Sequence, residues 1–314
     1  MIKKYILPIF LIFALANDLV GQDKGEPIIL STETGDIMGT LLIPERLDKV
    51  SVVLIISGSG PTDRNGNHPV MSNNALKMLA ERLYENGIAS LRFDKRGIRE
   101  SRASGFSESD LRFENYINDV KEWCALLKKD HRFDRLIILG HSEGSLIGMI
   151  AAQATKVDKF VSVAGAGFPA GEIIRQQLQS QSPIVLVQAL PIIEKLEQGE
   201  KVTTVPQMLY SLFRPSVQSY MISWFKYDPQ TEISKLDCPV LIVQGTTDIQ
   251  VSLADAQKLS EANKGAKKVI IEGMNHILKE SELDRAKNIQ TYNNPELPLK
   301  EELIMNIVDF VVKE

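Results

Sequence analysis

A short pattern in the middle of the chain places one serine where it can act as a nucleophile. Residues 140–144 read Gly-His-Ser-Glu-Gly, directly after an apolar run and before a helix-compatible segment. A serine on a tight strand-to-helix turn has strained backbone angles, and glycines two residues either side let neighbouring segments pass close by. The following helix begins with free backbone N–H groups and a positive dipole end, which favour an oxyanion. The pattern therefore predicts Ser142 as a nucleophile.

A serine hydroxyl is a weak nucleophile near neutral pH, so it needs an adjacent imidazole that a carboxylate holds in one tautomer. His276 lies just beyond a predicted strand at residues 269–272, where open α/β sheets place reactive groups. We expect the other three histidines to lie in polar loops or, beside the serine, to point away from it: His68, His131 and His141.

The carboxylate is predicted by the same argument. Asp248 follows the predicted strand at residues 240–244, inside a Gly-Thr-Thr loop. The chain order serine, aspartate, histidine, each just beyond a strand end, is the order expected of α/β hydrolases and differs from those of other triad folds. We therefore predict a triad of Ser142, Asp248 and His276.

A tetrahedral intermediate also needs two preorganised backbone donors. One predicted donor is the N–H of Glu143, directly after the serine. The second is expected from the glycine-rich segment 57–61, with Ser59 as the first choice and Gly60 as the second. A phosphate-cradling loop is the alternative, but the lysine of a P-loop is missing. Asp63 is a candidate to support this loop through a side-chain hydrogen bond.

Composition narrows the class of protein. The chain has 314 residues, of which 44% are hydrophobic, and a formal net charge of −4. A chain of this length and composition can bury a large core. Its net negative charge does not indicate a basic surface for nucleic acid, so we expect no nucleic-acid partner. Its two cysteines either form one disulfide or are buried free thiols, and their spacing does not indicate a metal site. We expect neither a metal nor a cofactor.

The N-terminus differs from the rest of the chain. Residues 1–21 combine Lys3 and Lys4 with an almost wholly apolar stretch and resemble a secretory signal peptide, cut after Gly21 or after Ala16. The apolar run is too short to span a bilayer comfortably, so we expect no stable membrane span after removal. This predicts a secreted or periplasmic protein, with an uncleaved membrane anchor as the alternative.

The remaining chain alternates strands and helices. A hairpin is predicted at residues 26–44. Apolar, β-branched runs then predict strands at 51–57, 88–94, 136–140, 160–164, 240–244 and 269–272. Helical patterns occur at 72–86, 113–128, 145–154, 253–263 and 299–312. The alternation predicts an α/β fold with a doubly wound, mostly parallel sheet.

One segment interrupts this alternation. Residues 168–236 contain six prolines and fit roughly four short helices. We expect a helical lid here, between core parts at residues 22–167 and 237–314, with an oligomerisation or packing module as the alternative. One helical stretch of the segment either lines an acyl pocket or packs the lid onto the core; its apolar side chains are Met208, Leu209, Phe213, Tyr220, Met221, Trp224 and Phe225.

These motifs carry a family resemblance over nearly the whole chain after residue 21. The matching pieces are residues 57–66, 92–97, 140–144, 244–248 and 273–276. The chain resembles lidded α/β hydrolases, a group with serine aminopeptidase-like proteins, monoglyceride-lipase-like proteins and short-chain carboxylesterases. It departs from their usual pattern at Arg99, where glycine is common, and at Ser57, which replaces a histidine. The resemblance implies an acyl-serine mechanism, a helical lid and hydrolysis of esters or amides.

The leading functional prediction is a serine hydrolase that cleaves small carboxylic esters, with a small-molecule acyl ester as its partner. An aminopeptidase or amidase is the rival, since Glu143 or the segment's acidic residues Glu194, Glu197 and Glu200 can bind an amino group. A thioesterase or acyltransferase shares the same intermediate. A non-catalytic binding module is a further alternative, although it has no reason to keep three reactive side chains at three strand ends. The sequence leaves the oligomeric state open.

Overall fold

The computed structural model describes residues 25–45, 49–105, 107–179 and 182–313. The predicted signal peptide, residues 1–21, lies outside these residues. Within the part that is described, no helix is both long and apolar enough to cross a membrane.

One eight-stranded sheet forms the centre of the protein, in the order β1-β2-β4-β3-β5-β6-β7-β8. The β1–β2 and β2–β4 pairs are antiparallel, and all other neighbours are parallel. Every residue of β3, β4, β6 and β7 is buried, as expected of strands covered on both faces. The strands are β1 (Glu26–Thr32), β2 (Gly35–Leu42), β3 (Val50–Ile56), β4 (Ala89–Phe93), β5 (Phe133–His141), β6 (Lys159–Val163), β7 (Val240–Gly245) and β8 (Lys267–Ile271). The predicted doubly wound, mostly parallel sheet is confirmed.

Helices cover both faces of the sheet. The helices α1 (Ala75–Glu85) and α11 (Glu301–Val312) share one hydrophobic cluster with strand residues. On the opposite face, α2 (Phe113–Lys129), α3 (Glu143–Thr155) and α9 (Leu253–Ala262) share a second one. Two elements were not predicted from the sequence, a 3₁₀ helix (Arg99–Ser104) and α10 (Arg285–Thr291). Both are short and lack the apolar periodicity on which helix prediction depends.

The segment between β6 and β7 is helical, as predicted, but has more pieces than the four expected. It contains a 3₁₀ helix (Gln207–Leu209) and the helices α4 (Ala170–Gln179), α5 (Pro183–Glu197), α6 (Tyr210–Phe213), α7 (Gln218–Trp224) and α8 (Pro229–Ser234). Proline falls at the N-terminal end of α5 and of α8, where its missing N–H costs no helical hydrogen bond. We refer to residues 168–236 as the insertion; its role as a lid stays a prediction.

The insertion has a hydrophobic cluster of its own. Leu209, Phe213 and Met221 are buried in it, and Phe225 packs against it. Tyr220 and Trp224 instead contact the core helix α2, with ring centroids 6.0 Å from that of Phe113 in both cases. These six side chains therefore pack, as one of the two interpretations describes, whereas Met208 is exposed.

The two cysteines are unpaired. Cys124 is buried and Cys238 is partly exposed. Burial raises the pKa of the Cys124 thiol to about 12, so this thiol stays protonated and packs as a small apolar side chain.

Candidate active site

Ser142 lies on a strained turn at the carboxyl edge of the sheet. It joins β5 to α3 with φ 56° and ψ −124°, a combination that L-residues other than glycine rarely adopt. Its backbone N–H donates to the carbonyl of Val163, at the end of the neighbouring strand β6, over 3.0 Å. Such strain persists only where the surrounding structure enforces it. The turn therefore fixes the place of the Ser142 side chain beyond the end of the strand.

The two glycines that flank this turn are required by close packing. A Cβ at Gly140 would lie 2.3 Å from the carbonyl oxygen of Gly144, and a Cβ at Gly144 would lie 2.4 Å from the carbonyl oxygen of Ile56. Both distances are far below van der Waals contact, so a larger residue at position 140 would displace the start of α3, and one at position 144 would push the turn away from β3. The spacing that the sequence pattern shows is thus a steric requirement.

His276 and Asp248 are hydrogen bonded to each other. His276 Nδ1 lies 2.8 Å from Asp248 Oδ2, so Nδ1 carries the proton and Nε2 is left as an acceptor. The other oxygen, Oδ1, accepts from the backbone N–H groups of Gln250 at 2.8 Å and Val251 at 3.0 Å. Burial raises the pKa of Asp248, but the His276 imidazole and these N–H groups outweigh it, so the pKa lies below its ordinary value.

Contrary to the expectation from the sequence, His141 does not point away from the site. Its Nε2–H donates to the carbonyl oxygen of His276 over 2.8 Å, and the two ring centroids are 4.9 Å apart. The expectation was wrong because β5 and the loop after β8 both end at the carboxyl edge, which brings the two rings together. Burial, reinforced by His276, lowers the pKa of His141 to about 4. His141 is therefore neutral near pH 7 and holds the His276 backbone.

Ser142 and His276 line one cavity of about 280 Å³. Asp248 is behind His276 and does not line it. None of the described residues around the cavity is acidic, lysine or arginine, so its wall is uncharged when its histidines are neutral. The lining residues are Gly58, Ser59, Gly60, Thr62, Gly66, His68, Met71, Asn73, Ala75, Leu76, His141, Ser142, Gln250, His276, Ile277 and Tyr292.

The glycine-rich loop after β3 runs beside Ser142. A Cβ at Gly58 would lie 3.1 Å from Ser142 Cβ, so the backbone here passes as close as a glycine allows. Both Ser59 and Gly60, the two residues considered as oxyanion donors, line the cavity. The Ser59 carbonyl accepts from Thr62 Oγ1 over 2.8 Å. Glu143, as the first residue of α3, has an N–H without a partner inside the helix.

Asp63 supports this loop in the way the sequence hypothesis described. Its Oδ1 accepts from the backbone N–H groups of Asn65 and Asn67, each over 2.9 Å. Its Oδ2 accepts from Arg99 Nε over 3.0 Å. Arg99 has φ 46°, in the left-handed region that glycine adopts most readily. The arginine side chain thus adds a contact to the loop that glycine cannot make.

A buried polar network behind the loop was missed by the sequence reasoning. Lys95 donates through Nζ to the carbonyl oxygen of Gly58 and lies 3.3 Å from Glu143 Oε2. Glu143 Oε1 accepts from the hydroxyl of Tyr220, in α7 of the insertion, over 2.7 Å. One signal was present, because Lys95 follows β4 almost directly at the carboxyl edge. Nothing in the sequence pairs Tyr220 with Glu143.

No group of three or more histidine, cysteine, aspartate or glutamate side chains is arranged to hold a metal ion among the residues described.

Known proteins match this chain in sequence. Residues 71–210 match the family described as serine aminopeptidase, S33. Esterase EstD of Thermotoga maritima is 27% identical over 248 residues, which cover 76% of this chain and 57% of EstD. The chain thus spans less than two thirds of the length of that relative.

Solved structures with the same fold cover nearly the whole chain. Est1E from Butyrivibrio proteoclasticus superposes with a TM-score of 0.59 at 17% identity, over 92% of this chain and 100% of Est1E. The α/β hydrolase GrgF from Penicillium sp. sh18 gives a TM-score of 0.61 at 18% identity, over 91% of this chain and 97% of GrgF. At these identities the likeness establishes the fold.

The sheet order and the sequence match agree with the resemblance inferred from the motifs, which is confirmed at the level of the fold and the group. This chain has the α/β-hydrolase fold, and its sequence is similar to the serine aminopeptidase family and to an esterase.

Proposed function

We propose that this protein is a serine hydrolase that cleaves small carboxylic esters through an acyl-serine intermediate. The observation that carries the proposal is that His276, which is paired with Asp248 at 2.8 Å, lines the same cavity as Ser142. EstD, which is similar to this chain in sequence, is named as an esterase, which supports the same reaction class.

In the first half of the reaction, Ser142 Oγ attacks the ester carbonyl carbon while His276 Nε2 takes the hydroxyl proton. The carbonyl oxygen becomes an oxyanion, which the N–H groups of Ser59 and Glu143 stabilise. When this intermediate collapses, the bond between the carbonyl carbon and the alcohol oxygen breaks. His276 gives its proton to the leaving alcohol, and the acyl group stays on Ser142.

In the second half, His276 removes a proton from water, and the hydroxide attacks the acyl carbon. The bond to Ser142 Oγ then breaks, His276 returns the proton to Oγ, and the carboxylic acid leaves. Asp248 keeps the imidazole in one tautomer and stabilises its protonated form throughout. The lowered pKa of Asp248 keeps this carboxylate ionised at neutral pH.

The uncharged cavity favours an ester over an aminopeptidase substrate. An amino-terminal ammonium group requires a carboxylate partner, and none of the described residues around the cavity is acidic. Glu143, the first residue considered for that role, has a buried carboxylate that is already bonded to Lys95 and Tyr220. Glu197 pairs instead with Arg175 at 2.6 Å. The volume of about 280 Å³ lies just below the usual range for ligand pockets and fits a small acyl group.

A binding protein without catalysis is disfavoured by the strain at Ser142. Backbone strain of this kind costs about 1–3 kcal/mol, and it positions a hydroxyl that a binding protein does not need.

The proposal includes two further parts. The insertion acts as a lid at the rim of the cavity, where Gln177 of α4 donates to the carbonyl oxygen of Gln250 over 3.2 Å. Gln250 itself lines the cavity. Residues 1–21 direct the protein out of the cytoplasm, so that it acts in the periplasm or outside the cell.

The reaction class is tested with p-nitrophenyl acetate, butyrate and octanoate beside aminoacyl p-nitroanilides, together with a fluorophosphonate probe. We expect turnover of the two short esters and covalent labelling of Ser142. Ser142→Ala should lose labelling and about a hundred-thousandfold or more of kcat. The control Ser145→Ala, which removes a buried hydroxyl bonded to Ser162, should keep both. Hydrolysis of the anilides alone contradicts the ester assignment, and a folded protein that the probe does not label contradicts the serine mechanism.

A further inference from the structure

Lys95 and Glu143 form an ion pair that is almost completely removed from water. Their side chains are 1% and 2% exposed, and Lys95 Nζ lies 3.3 Å from Glu143 Oε2. Burying two charges costs several kcal/mol per ion before their attraction is counted, and an apolar pair of similar size often gives equal stability. A contribution to the stability of the fold is therefore a weak explanation for the burial of this ion pair.

The contacts of Lys95 point to the loop beside Ser142. Its ammonium donates to the carbonyl oxygen of Gly58. That carbonyl and the N–H of Ser59 belong to one peptide group, and all peptide bonds of the described residues are trans. In a planar trans peptide the C=O and N–H bonds point in opposite directions. By holding the carbonyl on one side, Lys95 fixes the direction in which the Ser59 N–H points.

The same ammonium is linked to the second donor. Glu143 pairs with Lys95 through its side chain and presents its backbone N–H at the start of α3. One buried charge thus contacts the Gly58–Ser59 peptide group, which carries one proposed oxyanion donor, and the side chain of Glu143, whose backbone carries the other. Its positive charge also lies behind the Gly58–Ser59 peptide, where it polarises that N–H towards a developing negative charge.

A third side chain connects this pair to the insertion. The hydroxyl of Tyr220 in α7 donates to Glu143 Oε1 over 2.7 Å. Burial and the neighbouring Glu143 raise the pKa of Tyr220, so its hydroxyl keeps its proton and remains a donor. Lys95 Nζ also lies 5.1 Å from the ring centroid of Tyr116, a distance at which a cation is attracted to the ring face.

We propose that Lys95 is a positioning residue for the oxyanion hole, and that Tyr220 couples the insertion to the same donors through Glu143. This inference rests on the proposed esterase function. It predicts that the network acts on the tetrahedral intermediate and leaves the binding of planar ground-state ligands unchanged.

The test uses the full chain with three variants. Lys95→Met with Glu143→Gln removes both charges together, so no unpaired ion is left buried. Tyr220→Phe removes only the hydroxyl. The matched control is Tyr227→Phe, because Tyr227 also joins the insertion to a core glutamate, Glu114, over 3.2 Å but away from the cavity.

We expect kcat for p-nitrophenyl butyrate to fall about ten- to a hundredfold in the double variant, less than for the loss of an oxyanion donor itself. Tyr220→Phe should lower kcat about two- to tenfold, the usual effect of one hydrogen bond. KM and the control should stay within about twofold of the unmodified protein. Affinity for a trifluoromethyl ketone, which forms a tetrahedral adduct with serine, should fall in parallel with kcat/KM. Affinity for the matching planar amide should not change.

The outcomes distinguish the positioning role of this network from the proposed esterase function. Folded variants that keep the original kcat and ketone affinity refute the positioning role, and so does a fall in melting temperature without any change in kcat. If the double variant does not fold, Tyr220→Phe against Tyr227→Phe decides the matter. Absence of both ester turnover and probe labelling in the unmodified protein refutes the proposed function instead.

Discussion

The two sides of Ser142 are built in different ways. On the proton-transfer side, His276 and Asp248 come from the loops after β8 and β7 and bond directly to each other. On the oxyanion side, the proposed donors are backbone N–H groups, held from behind by Lys95, Glu143 and Tyr220. In the proposed mechanism, side chains perform the chemistry on the first side, whereas on the second side they only position the backbone.

This difference sets how much each side tolerates change. On the proton-transfer side, each group has a role that another residue type does not fill. On the oxyanion side, the donors remain when a supporting side chain is replaced, but their direction becomes less well defined. We therefore expect large losses of activity from substitutions on the first side and graded losses on the second.

Apart from the loss of Ser142 itself, the largest effect is expected from Asp248→Asn. An amide at this position keeps the shape of the carboxylate but no longer holds His276 in the tautomer that leaves Nε2 free. We expect kcat to fall about ten-thousandfold, with the cavity and the fold intact, as measured by ester turnover and circular dichroism.

A matched control for this substitution is Asp255→Asn. Asp255 is also fully buried and accepts from Ser252 N–H and from Gly167 N–H, each over 2.9 Å, but it does not contact His276. We expect lower stability and little change in kcat. A loss of activity as large as that of Asp248→Asn would mean that burial of the charge, rather than its place beside His276, matters.

The next effect concerns His141, which lies between the two sides. Its Nε2–H bonds to the His276 carbonyl, and a Cβ at Gly58 would lie 3.4 Å from its Nδ1. Burial lowers its pKa from 6.5 to about 4, so between these values the unfolded chain takes up a proton that the folded chain does not. The free energy of unfolding should therefore fall as the pH drops from about 6.5 towards 4, by roughly 2–3 kcal/mol from this residue.

Urea unfolding at pH 7.5, 6.5, 5.5 and 4.5 measures this dependence. His141→Gln removes the titrating group, so the stability of the variant should change less over this range than that of the unmodified protein. His131→Gln, at an exposed position, should keep the full dependence. Equal slopes for His141→Gln and the unmodified protein would show that His141 is not held neutral by its surroundings.

The same difference explains what could be predicted from the sequence. Ser142, Asp248 and His276 each follow an apolar strand, and parallel strands bring their carboxyl ends to one edge, so chain order alone placed them together. Lys95 also follows a strand, but its contacts with a backbone carbonyl and a carboxylate depend on packing in three dimensions. Tyr220 lies in an insertion whose position over the core has no repeating pattern.

Fold elements follow the same rule. Strands β3 to β7 were predicted to within about three residues at each end because burial on both faces makes them continuous apolar runs. Helix α10 was not predicted, because its seven residues include one buried side chain, that of Asn288, and no apolar stripe. Local pattern predicts an element when the element buries an apolar surface, and it fails when polar contacts hold the element in place.

A much smaller effect than that of Asp248→Asn is expected from Gly58→Ala, on the oxyanion side. The added Cβ would lie 3.1 Å from Ser142 Cβ, so the loop must move by a few tenths of an ångström. Because a misplacement of 1 Å can cost about a hundredfold, we expect kcat to fall about tenfold, with Ser142 still labelled by the probe. Gly265→Ala, where the added Cβ lies 3.6 Å from the nearest atom, is the control and should keep full activity. A ten-thousandfold loss in Gly58→Ala would show that the oxyanion side is as sensitive to substitution as the proton-transfer side. The expected difference between the two sides of Ser142 would then be wrong.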